Sequence, residues 1–353
     1  MEQFPSIQGS LLTKCGHAFY SRGTGGGQQT RTGGYNEQRA MTFEFYPLRF
    51  EFSARESVFF PSGKAANILR GALGVIFRRI ACVPDCQEPR TCDFRESCHY
   101  ARVFEPVAQG TGPSGLGDWP RPFVFRARHL DDRTVHPGES FCFDLHVFSL
   151  DHDVLTYFIL AFAALAREGL GPRRGKAALR QVRRLSVRDI PEQVVYEQTS
   201  QMIVGSVEPV PLDLTPSITS PDRIRVEFLS PTELKHEHKI ANRPEFPILF
   251  GRIRDRISTL RQLYGVGPLE IDFQGTNARA SAVRMTRCEV RRQESARLST
   301  RTGQSHSIGG FVGTAEYQGD LGEFMPYLEA ARWVGVGRQA VWGKGEIAVS
   351  SDP

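Results

Sequence analysis

The sequence predicts an α+β protein in which the element order β-α-β-β-α-β occurs twice. Three observations lead to this fold class. Short stretches alternate apolar and polar residues, as half-buried strands do, and longer stretches repeat apolar residues every three or four positions, as amphipathic helices do. A Pro-rich stretch, 208–222, separates the two halves. The repeated order is that of the ferredoxin-like fold, in which two helices cover one face of an antiparallel sheet.

The first half begins with alternating aromatic residues around Pro47, which predict a strand with an edge or a bulge at the proline. Ser62 is the predicted N-cap of the helix that follows, and Gly169 is the predicted end of a second helix. The predicted helices are 63–80 and 154–168, and the further predicted strands are 122–126, 141–147 and 177–187.

The second half repeats this order, with predicted helices 249–264 and 321–332 and predicted strands 224–228, 269–273, 282–290, 311–317 and 341–349. Pro326 is expected to bend or split the last helix, because an internal proline removes a helical hydrogen bond. The predicted organisation is a flexible Gly-rich leader (1–40), a first ferredoxin-like domain (41–207), a linker (208–222) and a second ferredoxin-like domain (223–353).

Positive charge is clustered along the chain. The net charge is +5, and residues 167–188 hold eight Lys or Arg against one acid, Glu168. Clustered cations bind phosphate oxygens and release counterions when they do so. Arg173, Arg174 and Lys176 are therefore candidate RNA-binding residues, although a solvated basic face would give the same pattern.

Four of the seven cysteines fall between positions 82 and 98. No secretory signal is visible, and no run approaches the about 18 apolar residues of a membrane helix, so we expect a cytoplasmic protein with no membrane partner. In that compartment such a cluster favours a metal site over disulfides. Cys82, Cys86, Cys92 and Cys98 are thus predicted ligands of a structural Zn²⁺ that would staple an insertion in the first domain, with an iron–sulfur cluster as the alternative.

The segment from Arg297 to Gly345 combines cations with repeated glycines. A glycine lets the backbone approach a phosphate or another backbone closely, because no Cβ intervenes. The segment lacks the spacing of a phosphate-binding P-loop, and a glycine-rich turn used only for packing is the alternative. The candidate RNA-binding residues are Arg297, Arg301, Gly309, Gly310, Gly335, Gly337, Arg338, Gly343, Lys344 and Gly345.

Ten short sequence motifs occur one after another between Met41 and Ile347. They are PLRFEFSA, GKAANILRGALG, CHYARVFEP, RPFVFR and PGESFCFDLHVFS, then GLGPRRGKAALRQVRRL, VEFLSPTELK, QLYGVGPLEIDFQG, GGFVGTAEYQGDL and GVGRQAVWGKGE. In order and spacing this set resembles the CRISPR repeat-processing endoribonucleases of the RAMP superfamily. The resemblance covers nearly the whole chain except the leader, and it implies two ferredoxin-like domains.

The resemblance implies an enzyme that binds CRISPR repeat RNA in the precursor transcript and cuts it once per repeat. The implied cleavage needs no metal: a ribose 2′-hydroxyl attacks the adjacent phosphate, which leaves a 2′,3′-cyclic phosphate and a 5′-hydroxyl. The alternative within the superfamily is a protein that holds guide RNA (crRNA) in a CRISPR effector complex, beside partner proteins, without cutting it.

A reaction of this kind requires a general base, for which a histidine near neutrality is suited. Family histidines often lie soon after the first helix, where this chain has none before His99, so His99 is the first candidate and His306 the second. Tyr100 and Lys64 are candidate catalytic partners. His129, His136, His146 and His152 are assigned structural or solvated positions.

Overall fold

The computed structural model describes residues 41–84, 86–106, 119–217, 220–237, 239–294, 296–298, 305–307 and 309–351. The predicted leader 1–40 lies outside these ranges. The strands are β1 (Thr42–Ala54), β2 (Val58–Phe60), β3 (Phe123–Arg126), β4 (Arg133–Val135), β5 (Ser140–Val147), β6 (Ala177–Leu185), β7 (Pro191–Glu197), β8 (Met202–Ile203), β9 (Val210–Asp213), β10 (Arg223–Thr232), β11 (Lys235–His236), β12 (Lys239–Ile240), β13 (Arg284–Gln293), β14 (Ala296–Leu298), β15 (Ser305–Ser307), β16 (Gly310–Gln318) and β17 (Ile347–Ser351). The helices are α1 (Ala65–Ala81), α2 (His99–Phe104), α3 (His152–Glu168), α4 (Phe246–Tyr264), α5 (Phe273–Ala282) and α6 (Met325–Val334).

The first sheet has the order β3-β5-β1-β6, extended by β7 and β8, and all of its strand pairs are antiparallel. Alternating phenylalanines of β1 and β5 stack in the core beneath α1 and α3. Pro47 lies in the central strand β1, where one edge changes partner from β9, which pairs up to Phe45, to β6, which pairs from Leu48. A residue without a backbone N–H is tolerated at such a break in the pairing.

The second sheet has the order β13-β16-β10-β17, also antiparallel. Counted within each half, both sheets place the strands in the order second, third, first, fourth, with a long helix (α1 or α4) and a shorter one (α2 or α5) after the first strand and one helix after the third. The predicted pair of ferredoxin-like units is therefore confirmed. Within the described ranges, no helix combines the length and apolar character needed to cross a bilayer.

Some predicted elements differ from the structure. No strand forms at 269–273; Leu269 is buried there, and Asp272 caps α5 by accepting the N–H of Gly275 at 2.9 Å. Pro326 does not bend α6, because it occupies the first turn, where its missing N–H has no helical partner. Instead of one strand over 341–349, the chain forms a short 3-10 helix at Ala340–Trp342 and then β17.

The two halves share part of their cores. β1 contributes Phe50 and Phe52 to the core of the first half and Phe43 and Phe45 to that of the second. The predicted linker contains β9, which pairs with the start of β1, and Leu214 is buried in the second core. The predicted domain boundaries stay a prediction, but the linker segment is folded against both halves.

The C-terminal end of α6 is held by two buried side chains, Arg126 and His146, and by the half-buried Arg256. Arg126 donates to the carbonyls of Arg332 and Trp333, His146 Nδ1 lies 2.9 Å from the Trp333 oxygen, and Arg256 donates to the Val334 oxygen at 2.9 Å. Burial lowers the pKa of both arginines, that of Arg256 to about 10. The partial negative charge of a helix C-terminus favours cations there.

Stability is expected to fall as the pH drops below about 6.5, in part because of His146. Burial lowers the pKa of His146 from 6.5 to about 3, so the folded state binds fewer protons than the unfolded state between these values. Each pH unit in this window then costs about 1.4 kcal/mol of unfolding free energy. Urea unfolding of wild type and His146→Gln from pH 7 to pH 4 checks this: the variant should show a shallower loss, and equal slopes would contradict it.

Candidate functional site

The start of α1 meets the glycine-rich loop 335–345 of the second half. Lys344 is buried, and its Nζ donates to the carbonyl of Gly63 at 3.4 Å. Gly343 has φ +74°, and a Cβ built on it would lie 2.4 Å from the Cβ of Ala66. We call this contact the junction; it fixes the position of the exposed Lys64 relative to the loop.

Asp131 ties a third segment to the junction. Its carboxylate accepts the backbone N–H of Ala65, the first residue of α1, at 2.9 Å, so it caps α1 in place of the predicted Ser62. The partner is 66 residues away in sequence. Burial raises the pKa of Asp131, whereas burial lowers the pKa of Lys344 and the charge of Asp131 opposes that effect.

Two adjoining clefts lie between the halves beside the junction. The smaller, about 140 Å³, has the polar lining Ser62, Arg128, Asp131, Ser230, Gln293 and Lys344. The larger, about 360 Å³, has the charged lining Arg49, Arg126, Arg128, Asp144, Asp189, Arg332 and Glu346 together with His129 and His146. Because Arg128 and Leu229 line both, we treat the clefts as one groove, in which cations outnumber carboxylates.

Charged side chains of the groove form salt bridges, and one of the cations, Arg128, remains accessible to solvent. Arg49 forms a two-point salt bridge with Asp144 at 2.8 and 2.9 Å, and Arg128 lies 3.5 Å from Glu346. Burial and the charge of Asp144 raise the pKa of Asp189. Arg128 stays largely exposed in its long-distance pair, so an anionic ligand can take the place of Glu346.

His129 lies in the groove next to Arg128, on the 3-10 turn Arg128–Leu130 that leads into Asp131. It is exposed, and its Nε2 lies 2.7 Å from the carbonyl oxygen of Cys142. A carbonyl only accepts, so in the neutral ring Nε2 carries the proton and Nδ1 keeps its lone pair. From the sequence, His129 was assigned a structural or solvated position; the structure places it, exposed, in the lining of the groove beside Arg128.

The structure does not bring His99 to the junction. His99 begins α2, packs at 4.9 Å from the ring of Tyr157 and lies 3.8 Å from Asp153, both on α3. Tyr100 is half-buried and stacks on Phe104, and burial raises its pKa. The predicted catalytic roles of His99 and Tyr100 stay predictions.

The hairpin β14–β15 carries Arg297 opposite His306 in its register. Their side chains lie outside the described part of the chain, as does Arg301 altogether. The roles predicted for these three residues therefore stay predictions.

The glycines of the predicted RNA-binding set make close backbone contacts. A Cβ on Gly310 would meet the backbone of Thr232 at 2.5 Å, and buried Gly309 would meet Gln293 at 2.9 Å. In the loop, Cβ atoms on Gly337 and Gly345 would come within 2.3 Å of the Glu233 carbonyl and 1.9 Å of the Val336 carbonyl, and one on Gly335 within 3.1 Å of Ala340. Packing accounts for these positions. Arg338 pairs with Glu233 at 2.6 Å and stays half exposed.

The basic loop with Arg173, Arg174 and Lys176 packs beside β2. The Arg173 guanidinium lies 5.6 Å from the ring centroid of Phe59, and Lys176 lies 3.4 Å from Glu56. All three cations are exposed. Because β2 leads into Gly63, this loop borders the segment that enters the junction.

The four clustered cysteines are unbridged and half-buried. Cys82 Sγ lies 3.8 Å from Cys98 Sγ. Within the described ranges, no three His, Cys, Asp or Glu side chains lie close enough together to hold a metal ion in this arrangement.

Comparisons with known proteins bear on both halves. Residues 226–347 match the family described as CRISPR-associated endoribonuclease Cas6, and residues 43–208 match a family described as an N-terminal domain. Comparison with curated proteins gives no match.

Solved structures of similar fold carry Cas6 in their descriptions. A partial Cas6-RT-Cas1–Cas2 complex contains a chain with a TM-score of 0.52 and 12% identity, over 88% of this chain and 46% of that longer one. A Cas6 product complex has a TM-score of 0.46 and 14% identity, over 87% and 99% of the two chains. Thermus thermophilus Cas6 has a TM-score of 0.47 and 12% identity, over 87% and 98%. The similarity to the CRISPR-associated endoribonuclease Cas6 family therefore lies in the second half of the chain, over residues 226–347.

Proposed function

We propose that this protein binds CRISPR repeat RNA in the precursor transcript and cuts it once per repeat, in the groove beside the junction. The match of residues 226–347 to the Cas6 endoribonucleases carries the proposal. The groove supports it, because the matched segment supplies one wall and the α1 start with the 128–131 turn supplies the other. Its surplus of cations suits a polyanion.

The proposed reaction is metal-independent transesterification. His129 Nδ1 removes the proton of a ribose 2′-hydroxyl, whose oxygen attacks the adjacent phosphorus and displaces the 5′ oxygen of the next nucleotide. That leaving oxygen takes a proton from the ammonium of Lys64, so the products are a 2′,3′-cyclic phosphate and a 5′-hydroxyl. Asp131 positions these two groups, because it bonds the N–H of Ala65, the residue after Lys64, and follows His129 by two residues.

Arginines in the groove stabilise the charge that develops on the phosphorane. Arg128 is the first of them, since it lines both clefts and its nearest carboxylate, Glu346, is 3.5 Å away. Arg332 is the second, because it lines the larger cleft with its side chain 40% exposed. Cations placed where transition-state charge appears lower the barrier more than cations that only bind the ground state.

Other predicted residues act as RNA contacts in this proposal. The exposed basic loop of Arg173, Arg174 and Lys176 extends the path of the RNA past β2, and Arg338 adds a cation near the glycine-rich loop. Arg297 and Arg301 stay predicted phosphate clamps, and His99, His306 and Tyr100 stay competing catalytic candidates.

The function is tested with purified full-length protein and labelled repeat RNA in buffer without added divalent ions. We expect one cut per repeat, with a cyclic phosphate that resists phosphatase until acid opens it, and a free 5′-hydroxyl that kinase can label. A 2′-deoxy substitution at the nucleotide before the cut should abolish cleavage and preserve binding. A 5′-phosphate product, or cleavage of the 2′-deoxy RNA at the same bond, would contradict the mechanism.

A second candidate function is binding of guide RNA within a CRISPR effector complex without cleavage. The absence of histidine from α1 favours it, since the resemblance places the family's general base near that helix. Tight, saturable repeat binding without any product, in an assay where substitution of the groove arginines Arg128 and Arg332 weakens binding, would support this function over the first.

A further inference from the structure

The insertion between α1 and α2 has almost no apolar interior. Among the described residues from 82 to 98, Pro89 alone is buried, and the half-buried residues are Arg95 and the four cysteines. Phe94, the largest apolar side chain in the segment, is 61% exposed. A segment of this length with exposed apolar residues cannot be held by a hydrophobic core, so the inward-facing thiols are the groups around which it folds.

Two of the thiols are in contact, since Cys82 Sγ lies 3.8 Å from Cys98 Sγ, and Cys86 and Cys92 are half-buried in the same insertion. A zinc ion with tetrahedral thiolate bonds of about 2.3 Å separates its sulfurs by about 3.8 Å, whereas a disulfide would bring them to about 2.05 Å. The Cys82–Cys98 separation fits two thiols on a single ion, because a [4Fe–4S] cluster gives each cysteine its own iron.

Backbone turns place the thiols in two groups. Cys86 N–H donates to the Val83 carbonyl at 3.1 Å, one residue after Cys82, and the carbonyl of Cys92 and the N–H of Cys98 bond Arg95 at 3.0 and 3.2 Å, so tight turns follow Cys82 and join Cys92 to Cys98. Four thiolates around Zn²⁺ carry a net charge of −2, and arginines surround the insertion. Arg78 donates to the Cys86 carbonyl at 3.1 Å, and Arg95 donates to the Glu105 carbonyl at 3.0 Å.

We propose that Cys82, Cys86, Cys92 and Cys98 together bind one Zn²⁺ as thiolates, with the outer thiols closing in and each thiol releasing its proton to solvent as the ion binds. No three candidate ligands among the described residues yet enclose such an ion, so the site closes on binding. Binding free energy then becomes folding free energy of the insertion.

Metal binding would also support the glycine-rich loop, a consequence that rests on the proposed function of the groove. Cys98 is the N-cap of α2, whose Phe104 ring centroid lies 5.3 Å from the Arg70 guanidinium carbon. The same guanidinium carbon lies 4.1 Å from the ring centroid of Trp342, the residue before Gly343. An ordered insertion would thus stabilise the junction, because α2 contacts Arg70 and Arg70 contacts Trp342.

Elemental analysis of the full-length protein, grown in minimal medium with added zinc and dialysed, tests the proposal. We expect about one zinc and no stoichiometric iron per chain. Cys82→Ser combined with Cys98→Ser should lower zinc at least tenfold. Cys142→Ser is the matched control, because it removes a half-buried thiol on β5 outside the insertion and should leave zinc unchanged. Iron with acid-labile sulfide, or zinc unchanged in the double variant, would overturn the site.

Wild-type protein provides a test that does not depend on the variants folding. Replacing zinc with Co²⁺ should give the intense thiolate-to-cobalt charge-transfer absorption of a sulfur-rich tetrahedral site. Chelation should make the insertion sensitive to trypsin at Arg90 and Arg95, and zinc should restore resistance. Metal-free wild type with the four thiols paired as disulfides, and equally resistant to trypsin, would refute the proposal.

The two proposals fail separately. Zinc content is measured without RNA, so a zinc-loaded protein that never cuts repeat RNA refutes only the proposed function. A protein that cuts repeat RNA with the expected ends but binds no zinc refutes only the metal site.

Discussion

Replacing His129 with alanine is expected to lower the single-turnover rate constant for repeat cleavage by about 100- to 10,000-fold, the usual contribution of a general base. Repeat affinity should change only a few-fold, because the arginines of the groove remain. Rates are measured with enzyme in excess over labelled RNA, so that product release does not limit them.

His136→Ala is the matched control for this prediction, since His136 is an exposed histidine on the loop between β4 and β5, outside the groove. Its rate should equal that of wild type. His99→Ala and His306→Ala belong in the same series. If either of these abolishes cleavage while His129→Ala cuts within threefold of wild type, the base lies at that residue and not in the groove.

Gly343→Ala is expected to destabilise the protein by about 2–5 kcal/mol, through a strained left-handed backbone and an overpacked contact. The new Cβ would stand 2.4 Å from the Cβ of Ala66 at φ +74°. Gly138→Ala supplies the matched control, because Gly138 has φ +89° with nothing within 4 Å of an added Cβ. It should therefore show the backbone strain alone, about 1–2 kcal/mol.

The contact part of this effect has its own test. Ala66→Gly removes the atom that an alanine at 343 would meet, so the double variant should recover about 1–3 kcal/mol relative to the sum of the single variants. Urea unfolding of the four proteins gives the coupling free energy. Strict additivity would show that the loop and α1 are not in contact, and would remove the junction from the proposed site.

The element order could be predicted because it depends on local periodicity. The aromatic alternation of β1 and β5 and the apolar repeats of α1, α3 and α4 survive in the structure. The strand predicted at 269–273 was wrong for the same reason. Three alternating apolar residues fit the pattern of a strand, but only Leu269 is buried. A short run carries too little periodicity to separate a strand from a loop before a helix.

The site depends on contacts between distant segments, which local patterns cannot report. Lys344 is a cation among glycines in the sequence, and only the fold shows that it is buried against Gly63. Asp131 caps a helix that starts 66 residues before it, where Ser62 offered the better local signal. The predicted residues Lys64, Gly343 and Lys344 nevertheless meet at one place.

The division of β1 between two cores has a consequence for any fragment of this protein. A second half made alone, from Arg223 onward, would lack Phe43 and Phe45 and would expose the aromatic and aliphatic side chains they cover. The same fragment would leave the carbonyls of Trp333 and Arg332 without the Arg126 that bonds them. We therefore expect neither half to become fully native before the other, although the first half is synthesised first. The strand β1 can be fully buried only after β17, the last strand, has left the ribosome.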